Sequence, residues 1–295
     1  MKFKFLSVIA VGMLWLSIAN GADTKQIVFI AGAPSHGPGE HEHRSGCLLL
    51  KSCLDQMGGV TSTVYSNGWP SDPEAAFAGA AAVVVYSDGG SGHPLLQGNR
   101  LETIGKLMSR GVGLACLHYA VEPTKENGEN EFLDWIGGCF EVNWSVNPTW
   151  EASFEKFPNH PATRGVKPFK VEDEWYFNMR FKEGMKGVTP LLSAVPPEST
   201  MRRADGPHEG NPAVREAVKR GDLQHVAWVC ERPDGGRGFG FTGAHYNKNW
   251  GDPNFRKLVL NAILWTAKIE VPSDGVNCQV SPEDLVRNLD NKKRR

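Results

Sequence analysis

The sequence predicts an α/β fold built on a doubly wound, mostly parallel sheet, and three observations predict it. Two continuous apolar runs, 81–86 (AAVVVY) and 111–117 (GVGLACL), have the unbroken hydrophobicity of central parallel strands buried on both faces. Stretches with helical spacing of apolar residues separate these runs from each other and from an earlier one, 27–31 (IVFIA). Each run stops in a short polar or glycine-rich joint, as strands do where they hand over to helices in βαβ units.

Ahead of the first strand, Lys2 and Lys4 precede a mostly apolar stretch, 5–18, and Ala19-Asn20-Gly21-Ala22 offers small residues for cleavage. This predicts a secretory signal peptide over 1–22, too short and too sparsely flanked for a stable membrane anchor. No later stretch reaches the roughly 20 apolar residues of a span. The expected product is exported, periplasmic or secreted, with one domain over 23–271 and a polar, aperiodic tail over 272–295.

Strand 27–31 ends in Gly32-Ala33-Pro34-Ser35, and a stretch with His36, Glu40, His41, Glu42 and His43 follows, hinged by Gly37-Pro38-Gly39. Leu48, Leu49, Leu50, Cys53 and Leu54 then recur at helical spacing within 44–57, which Gly58-Gly59 stops. The β-rich 61–65 (TSTVY), a turn at Asn67-Gly68-Trp69-Pro70 and a short helix opened by Asp72-Pro73-Glu74 lead to strand 81–86. That strand lands in 87–94 (SDGGSGHP), which holds Asp88 and His93. A helix over 99–110 precedes strand 111–117, which ends on His118.

Residues 121–212 are less regular, rich in Trp, Asn and Pro, and read as excursions over the sheet edge. Within them, 173–176 (DEWY) sets two acids beside two aromatics. A strand over 225–231 (HVAWVCE), a hairpin turn, a second strand over 238–243 (GFGFTG) just before His245, and a helix over 254–265 close the domain.

With 40% hydrophobic and 22% charged residues among 295, the chain is made up like a globular protein, long enough for one large α/β domain or two smaller ones. The formal charge of −1, which becomes −3 when Lys2 and Lys4 leave with the signal peptide, gives no electrostatic footprint for nucleic acid. Export permits disulfides among the six cysteines. The expectation is mostly buried thiols with at most one or two bridges, Cys47 and Cys53 lying on different faces of one helix. No C-x-x-C pair offers a cysteine zinc site, and 89–92 lacks the spacing of a dinucleotide-binding loop.

Parallel strands joined by helices present their carboxyl ends on one edge, where ligands bind in open α/β sheets. That edge collects His36, His41 and His43 with Asp88, His93, His118 and His245. Core packing gives no reason for imidazoles from independent strand ends to gather. A divalent ion does: zinc takes neutral imidazole and carboxylate, and a catalytic site keeps one position open. His36, His118 and His245 are the first ligands expected, with His41, His43 and His93 in reserve. A carboxylate packed beside Trp175 and Tyr176 is partly desolvated, which raises its pKa, so Glu174 or Asp173 is the candidate base, with His118 also catalytic. Asp88, His93, Trp144, Trp175, Tyr176 and Trp250 are expected to bind substrate, the aromatic faces by stacking on a sugar.

Several segments, taken in order, resemble the ThuA-like (trehalose utilisation) family of the class I glutamine amidotransferase-like superfamily. They are the histidine after the first strand, GLACLH ending at His118, NHPATRGV, DEWY, and GRGFGFTGAH ahead of a helix ending in NAILWTA. The resemblance covers about 25–270, making 23–271 a ThuA-like domain. It implies a flavodoxin-like three-layer α/β/α sandwich and a histidine-built polar site matched by His36, His118 and His245. It also implies a place in sugar catabolism, particularly of 3-keto-disaccharides made by partner dehydrogenases. Some relatives carry a second histidine two or three residues beyond the one matching His118. Tyr119-Ala120-Val121 stand there in this chain, so that ligand is absent or comes from elsewhere, the 41–43 segment being one source.

The expected function is therefore an exported, metal-dependent enzyme with a zinc-type donor set, acting on a keto-sugar or glycoside by isomerisation, elimination or hydrolysis. Two alternatives come from other classes. One is a non-catalytic carbohydrate-binding module built on the tryptophans. The other is a cysteine-dependent, amidotransferase-like hydrolase with Cys116 as nucleophile, although His118 stands where the elbow around such a cysteine needs a small neighbour.

Overall fold

The computed structural model describes residues 24–66 and 68–293, so the expected signal peptide, 1–22, lies outside the described residues. In chain order, β1 (Lys25–Ala31), α1 (His43–Leu54), β2 (Val60–Tyr65), α2 (Pro73–Phe77), β3 (Ala80–Tyr86), α3 (Arg100–Met108) and β4 (Gly113–Leu117) alternate as the sequence predicts. The middle holds more regular structure than its composition suggests: α4 (Glu129–Trp135), β5 (Gly138–Cys139), β6 (Thr149–Phe154), β7 (Phe169–Glu174), β8 (Arg180–Phe181), β9 (Val188–Ala194) and α5 (Pro212–Arg220). Then come β10 (Gln224–Glu231), β11 (Arg237–Phe241), α6 (Pro253–Thr266) and α7 (Pro282–Val286).

Seven strands form one sheet in the order β2-β1-β3-β4-β11-β10-β9. The pairs from β2 to β11 are parallel, and β10 and β9 add an antiparallel edge. Pro190 lies in β9, where its missing N–H is tolerated because β9 is the last strand of the sheet. Alternate residues of β1 serve opposite faces. Ile27, Phe29 and Ala31 join the core under α1 and α6, while Val28 and Ile30 join the core under α2, α3 and α4. The result is the three-layer, flavodoxin-like α/β/α architecture, with connections diverging from β1 and β3. Each fully buried Val, Leu, Ile or Phe of these cores contributes about 1.5–3 kcal/mol.

One close approach needs glycine. A Cβ on Gly46, inside α1, would stand 2.6 Å from Tyr86 Cε1, so a side chain there would push the helix off the end of β3. The segment expected as a tail is tied to the domain along its described length. Cys278 is disulfide-bonded to Cys53 of α1, with Cα atoms 5.4 Å apart. Cys47, Cys116, Cys139 and Cys230 are buried free thiols. Among the described residues no helix is long and apolar enough to cross a membrane.

Candidate functional site

The carboxyl edge of the parallel strands brings together side chains far apart in sequence. His36 and His41 follow β1, Asp88 follows β3, His118 follows β4 and His245 follows β11. Glu174 ends β7, which pairs with β6 in a separate two-stranded ribbon. Three imidazole nitrogens meet. His41 Nε2 lies 3.0 Å from His118 Nε2 and 3.0 Å from His245 Nδ1, and the latter two are 3.3 Å apart. Glu174 Oε2 is 3.2 Å from His245 Nδ1 and 3.6 Å from His118 Nε2.

Outer partners fix which ring nitrogens carry protons. His118 Nδ1 faces the Thr242 carbonyl at 2.9 Å and so donates to it, which leaves a lone pair on Nε2. His41 Nδ1 donates to Asp88 Oδ1 at 2.6 Å, which leaves a lone pair on its own Nε2. Asp88 is held in turn by Ser35 Oγ at 2.9 Å. This is the carboxylate- or carbonyl-oriented imidazole found behind metal ligands. Burial, followed by the neighbouring histidines, pushes the pKa of both His41 and His118 far below the usual range, so both rings are neutral. For His245 burial acts downward, but Glu174 outweighs it and the net direction is up.

The backbone is strained at these same residues. His36, His41, His118 and Ala244 have φ of 57°, 45°, 57° and 83°. Left-handed conformations outside glycine cost on the order of 1–3 kcal/mol each and cluster where a site imposes them. His118 therefore occupies the strained turn after β4, the place where a nucleophile elbow would put its nucleophile. Cys116 is two residues back inside the strand, and burial raises its thiol pKa. That removes the physical basis for a reactive cysteine there.

The donor set fits a divalent ion. Two lone pairs and a third imidazole nitrogen face one point beside a carboxylate, and one proton on His245 Nδ1 is all that they have to share. Nitrogen ligands about 2.0–2.1 Å from one zinc ion stand about 3.3 Å apart at tetrahedral corners, close to the spacing here. A pocket of about 200 Å³ opens beside the cluster, lined in part by His36, Tyr119, Glu174, Tyr176 and His208.

Several sequence-predicted residues stand elsewhere. His36, expected as a ligand, has a 42% exposed side chain, lines the pocket and stacks on His41 at 3.5 Å between ring centres; it groups with His41 and Asp88, while His41 joins His118 and His245 in the inner cluster. His43 is buried behind Asp88, its Nδ1 donating to the Ala33 carbonyl. His93 is interior: its Nε2 donates to the Ala120 carbonyl and its Nδ1 accepts from Leu95 N–H, so neither nitrogen is free for substrate or metal. Asp173 is buried and accepts from the N–H groups of Ala244, His245 and Glu174 and from Asn249 Nδ2, which makes it a support of the site rather than its base. Trp175 and Trp250 are wholly buried among Phe154, Phe241 and Phe255 and present no face to a sugar. Trp144 is half-buried beneath the Arg180 guanidinium and does not line the pocket. Asp88 and Tyr176 are at the site, Tyr176 Oη lying 3.3 Å from His118 Nε2.

Two residues that sequence reasoning did not single out meet here, His208 in the pocket wall and Glu122 bonded to it. Glu122 and His208 are 86 residues apart and joined by a 3.1 Å hydrogen bond. Only the His-Glu pair inside the glycine-flanked loop 205–210 hinted at the second of them.

The sequence profile of the ThuA family, described as trehalose utilisation, matches residues 36–266. Among solved structures, a ThuA-like protein from Bacteroides uniformis aligns with a TM-score of 0.59 at 15% identity, over 85% of this chain and 95% of its own. A ThuA-like protein from Parabacteroides merdae aligns with a TM-score of 0.54 at 15% identity, over 88% and 94%. At that identity both support the fold alone. No curated protein matches the chain.

Proposed function

We propose that this chain, which belongs to the ThuA (trehalose utilisation) family, is an exported enzyme that removes a proton beside the carbonyl of a sugar-derived substrate, at a divalent-metal centre with zinc-type ligands. His41, His118 and His245 would hold the ion, leaving a position open toward the pocket. One observation carries the reading: the convergence of these three imidazole nitrogens within 3.0–3.3 Å, two of them fixed as lone-pair donors by Asp88 and the Thr242 carbonyl. The bound ion would supply Lewis acidity toward a carbonyl oxygen and make the adjacent C–H more acidic.

The chain's own residues do the rest. Glu174 is the carboxylate that both reaches the cluster and lines the pocket, and it takes the proton from carbon. Tyr176, its hydroxyl at the rim of the cluster, orients a substrate oxygen. The pocket of about 200 Å³ is smaller than the ~300–1,000 Å³ of drug-sized sites and suits a single sugar unit. A sugar bearing such a carbonyl arises by oxidation of a hydroxyl, so a sugar dehydrogenase is the partner reaction proposed upstream. Export is supported by the Cys53–Cys278 disulfide, a bond that persists outside the cytosol.

Elemental analysis of the purified protein tests the centre. About one equivalent of zinc or another divalent ion is expected in wild type and in His36→Ala, with loss in His41→Ala, His118→Ala and His245→Ala. A wild type that takes up no ion after dialysis against divalent metal would sink the proposal.

A further inference from the structure

A second pair, His208 in the pocket wall and Glu122 bonded to it, is not used by the reading above. Glu122 follows the single turn after β4 and is 2% exposed. Both of its carboxylate oxygens are 3.1 Å from His208 Nε2. The His208 ring stacks on Phe140, 5.1 Å between centres and 24° from parallel. Its loop is pinned from three sides: the His208 carbonyl accepts from Asn147 N–H and from Arg203 Nη2, the His208 N–H donates to Glu209 Oε2, and the Pro207 carbonyl accepts from Asn143 N–H. A loop histidine held this firmly is an oriented imidazole. Its Nδ1 has no hydrogen-bond partner among the described residues, and the ring lines the pocket.

We propose that His208 is the acid of the site, donating its Nδ1 proton to a substrate oxygen, and that Glu122 is the residue that positions it. The inference rests on the reading of the three-histidine centre and names the reaction subclass: loss of an oxygen substituent from the carbon β to the sugar carbonyl. Glu174 takes the proton from the α carbon, and that C–H electron pair becomes the new carbon–carbon double bond. The bond from the β carbon to the departing oxygen breaks with its pair going to oxygen, which takes the proton from His208. Protonated Glu174, neutral His208, an alcohol and an unsaturated ketone remain, so protons and charge balance.

The charges facing His208 agree with this role. Glu122 on one side and Glu209 and Glu174 beyond it raise its pKa against the effect of burial, while Tyr119 at the same wall stays neutral. Glu122 itself is pushed up by burial and pulled back by His208. The buried Glu122 carboxylate thus faces the Nε2 proton of His208 and leaves the Nδ1 proton directed to the pocket, as an oriented acid requires.

Leaving-group dependence tests this on the metal-loaded protein. A methyl keto-glycoside needs its departing oxygen protonated, whereas a p-nitrophenyl keto-glycoside does not. His208→Gln is expected to lose about 100-fold or more on the methyl substrate and only a few-fold on the nitrophenyl one, general-acid contributions being about 10²–10⁴-fold. Glu122→Gln should lower the His208 titration midpoint read from ¹⁵N-histidine spectra. Metal content should stay at the wild-type value in both variants. Equal losses on the two substrates, no loss on either, or a wild-type His208 that titrates as it does in Glu122→Gln would overturn the dyad. A wild type that keeps the raised His208 titration but binds no metal would sink the metal reading and leave the oriented pair standing.

Discussion

Asp173 sets the position of two site residues without touching the pocket. Alternation along β7 turns it inward and its neighbour Glu174 toward the pocket. Its carboxylate then gathers the N–H groups of Ala244, His245 and Glu174 and the Asn249 amide. In Asp173→Asn an NH₂ would face some of these donors. Leaving buried donors unpaired costs about 1–3 kcal/mol each, so a loss of roughly 2–4 kcal/mol in urea unfolding is expected, with weaker metal retention as the His245 backbone shifts. A variant as stable as wild type would show that the four bonds are not needed. His93 gives a pH prediction. Burial lowers its folded pKa to about 4, against about 6.5 for an unfolded histidine. The folded state therefore excludes a proton that the unfolded state binds. The stability His93 supports is complete above about pH 6.5 and declines as pH falls toward 4. The urea midpoint of wild type should fall across that window, and His93→Gln, though less stable at pH 7, should fall less steeply; parallel curves would assign the acid sensitivity elsewhere. The sequence named Asp173, Glu174 and His93 as candidates. It could not say which way each side chain points, because that depends on the register of β7 and on the turn after β3.

The elements legible in the sequence were those with one dominant signal. β3 and β4 are unbroken apolar runs, and α6 starts at Asp252-Pro253, where the Asp252 side chain caps the N–H groups of Asn254 and Phe255. Those missed had mixed signals. β6 alternates Thr149, Trp150, Glu151, Ala152, Ser153 and Phe154 between outside and inside, yet sits among prolines and asparagines that suggest loop. α5 carries Asn211 as N-cap, Pro212 in its first turn and Gly221 with φ 73° at its end, a full set of helix punctuation that its short, charged sequence obscured. The C-terminal segment reads as a tail because its composition is polar, and its buried contacts involve single residues. Lys292 is among them: its Nζ lies 3.4 Å from Glu42 Oε1, both side chains nearly buried, and it also donates to the carbonyls of Glu40 and His41. Asp290 N–H donates to the other Glu42 oxygen at 2.8 Å. This terminal segment thus braces the loop that presents His41. Breaking a buried ion pair from one side costs about 3–5 kcal/mol. Glu42 keeps its bonds from Gly39 and Asp290, so Lys292→Ala should cost somewhat less, about 2–4 kcal/mol in urea unfolding, and should also weaken metal affinity in calorimetry. Unchanged metal affinity would separate the brace from the site.

At the scale of the molecule, the mostly parallel, doubly wound sheet and its polar carboxyl edge followed from the sequence because periodicity and strand-end chemistry are local properties, while the order of the strands did not. What stayed illegible was long-range: which histidine lies innermost, the Glu122–His208 contact, and the pairing of Cys53 with Cys278. His36 and His41 both take left-handed φ in the loop, and no spacing rule encodes which of them enters the cluster. The disulfide joins residues 225 apart, from the first helix to the last segment, so it closes nearly the whole described domain into one loop. Closing so long a chain in the unfolded state removes entropy worth on the order of 5 kcal/mol in the chain-entropy account, and losing a native bridge costs about 2–5 kcal/mol. For a domain of this size each kcal/mol is about 2–4 °C in Tm. Cys278→Ser is the cleaner variant because Cys53 is packed in the core and Cys278 only partly so. Calorimetry should find its Tm lower by roughly 5–15 °C, and reductant should lower the wild-type Tm toward that of the variant while leaving the variant unmoved. Because the bridge lies just upstream of α7 and Lys292, its loss should also loosen the brace on the His41 loop, so the variant should release metal to a chelator faster at temperatures well below its Tm. A variant that melts within about 2 °C of wild type would mean that packing alone holds the terminal segment, with the disulfide recording that contact instead of enforcing it.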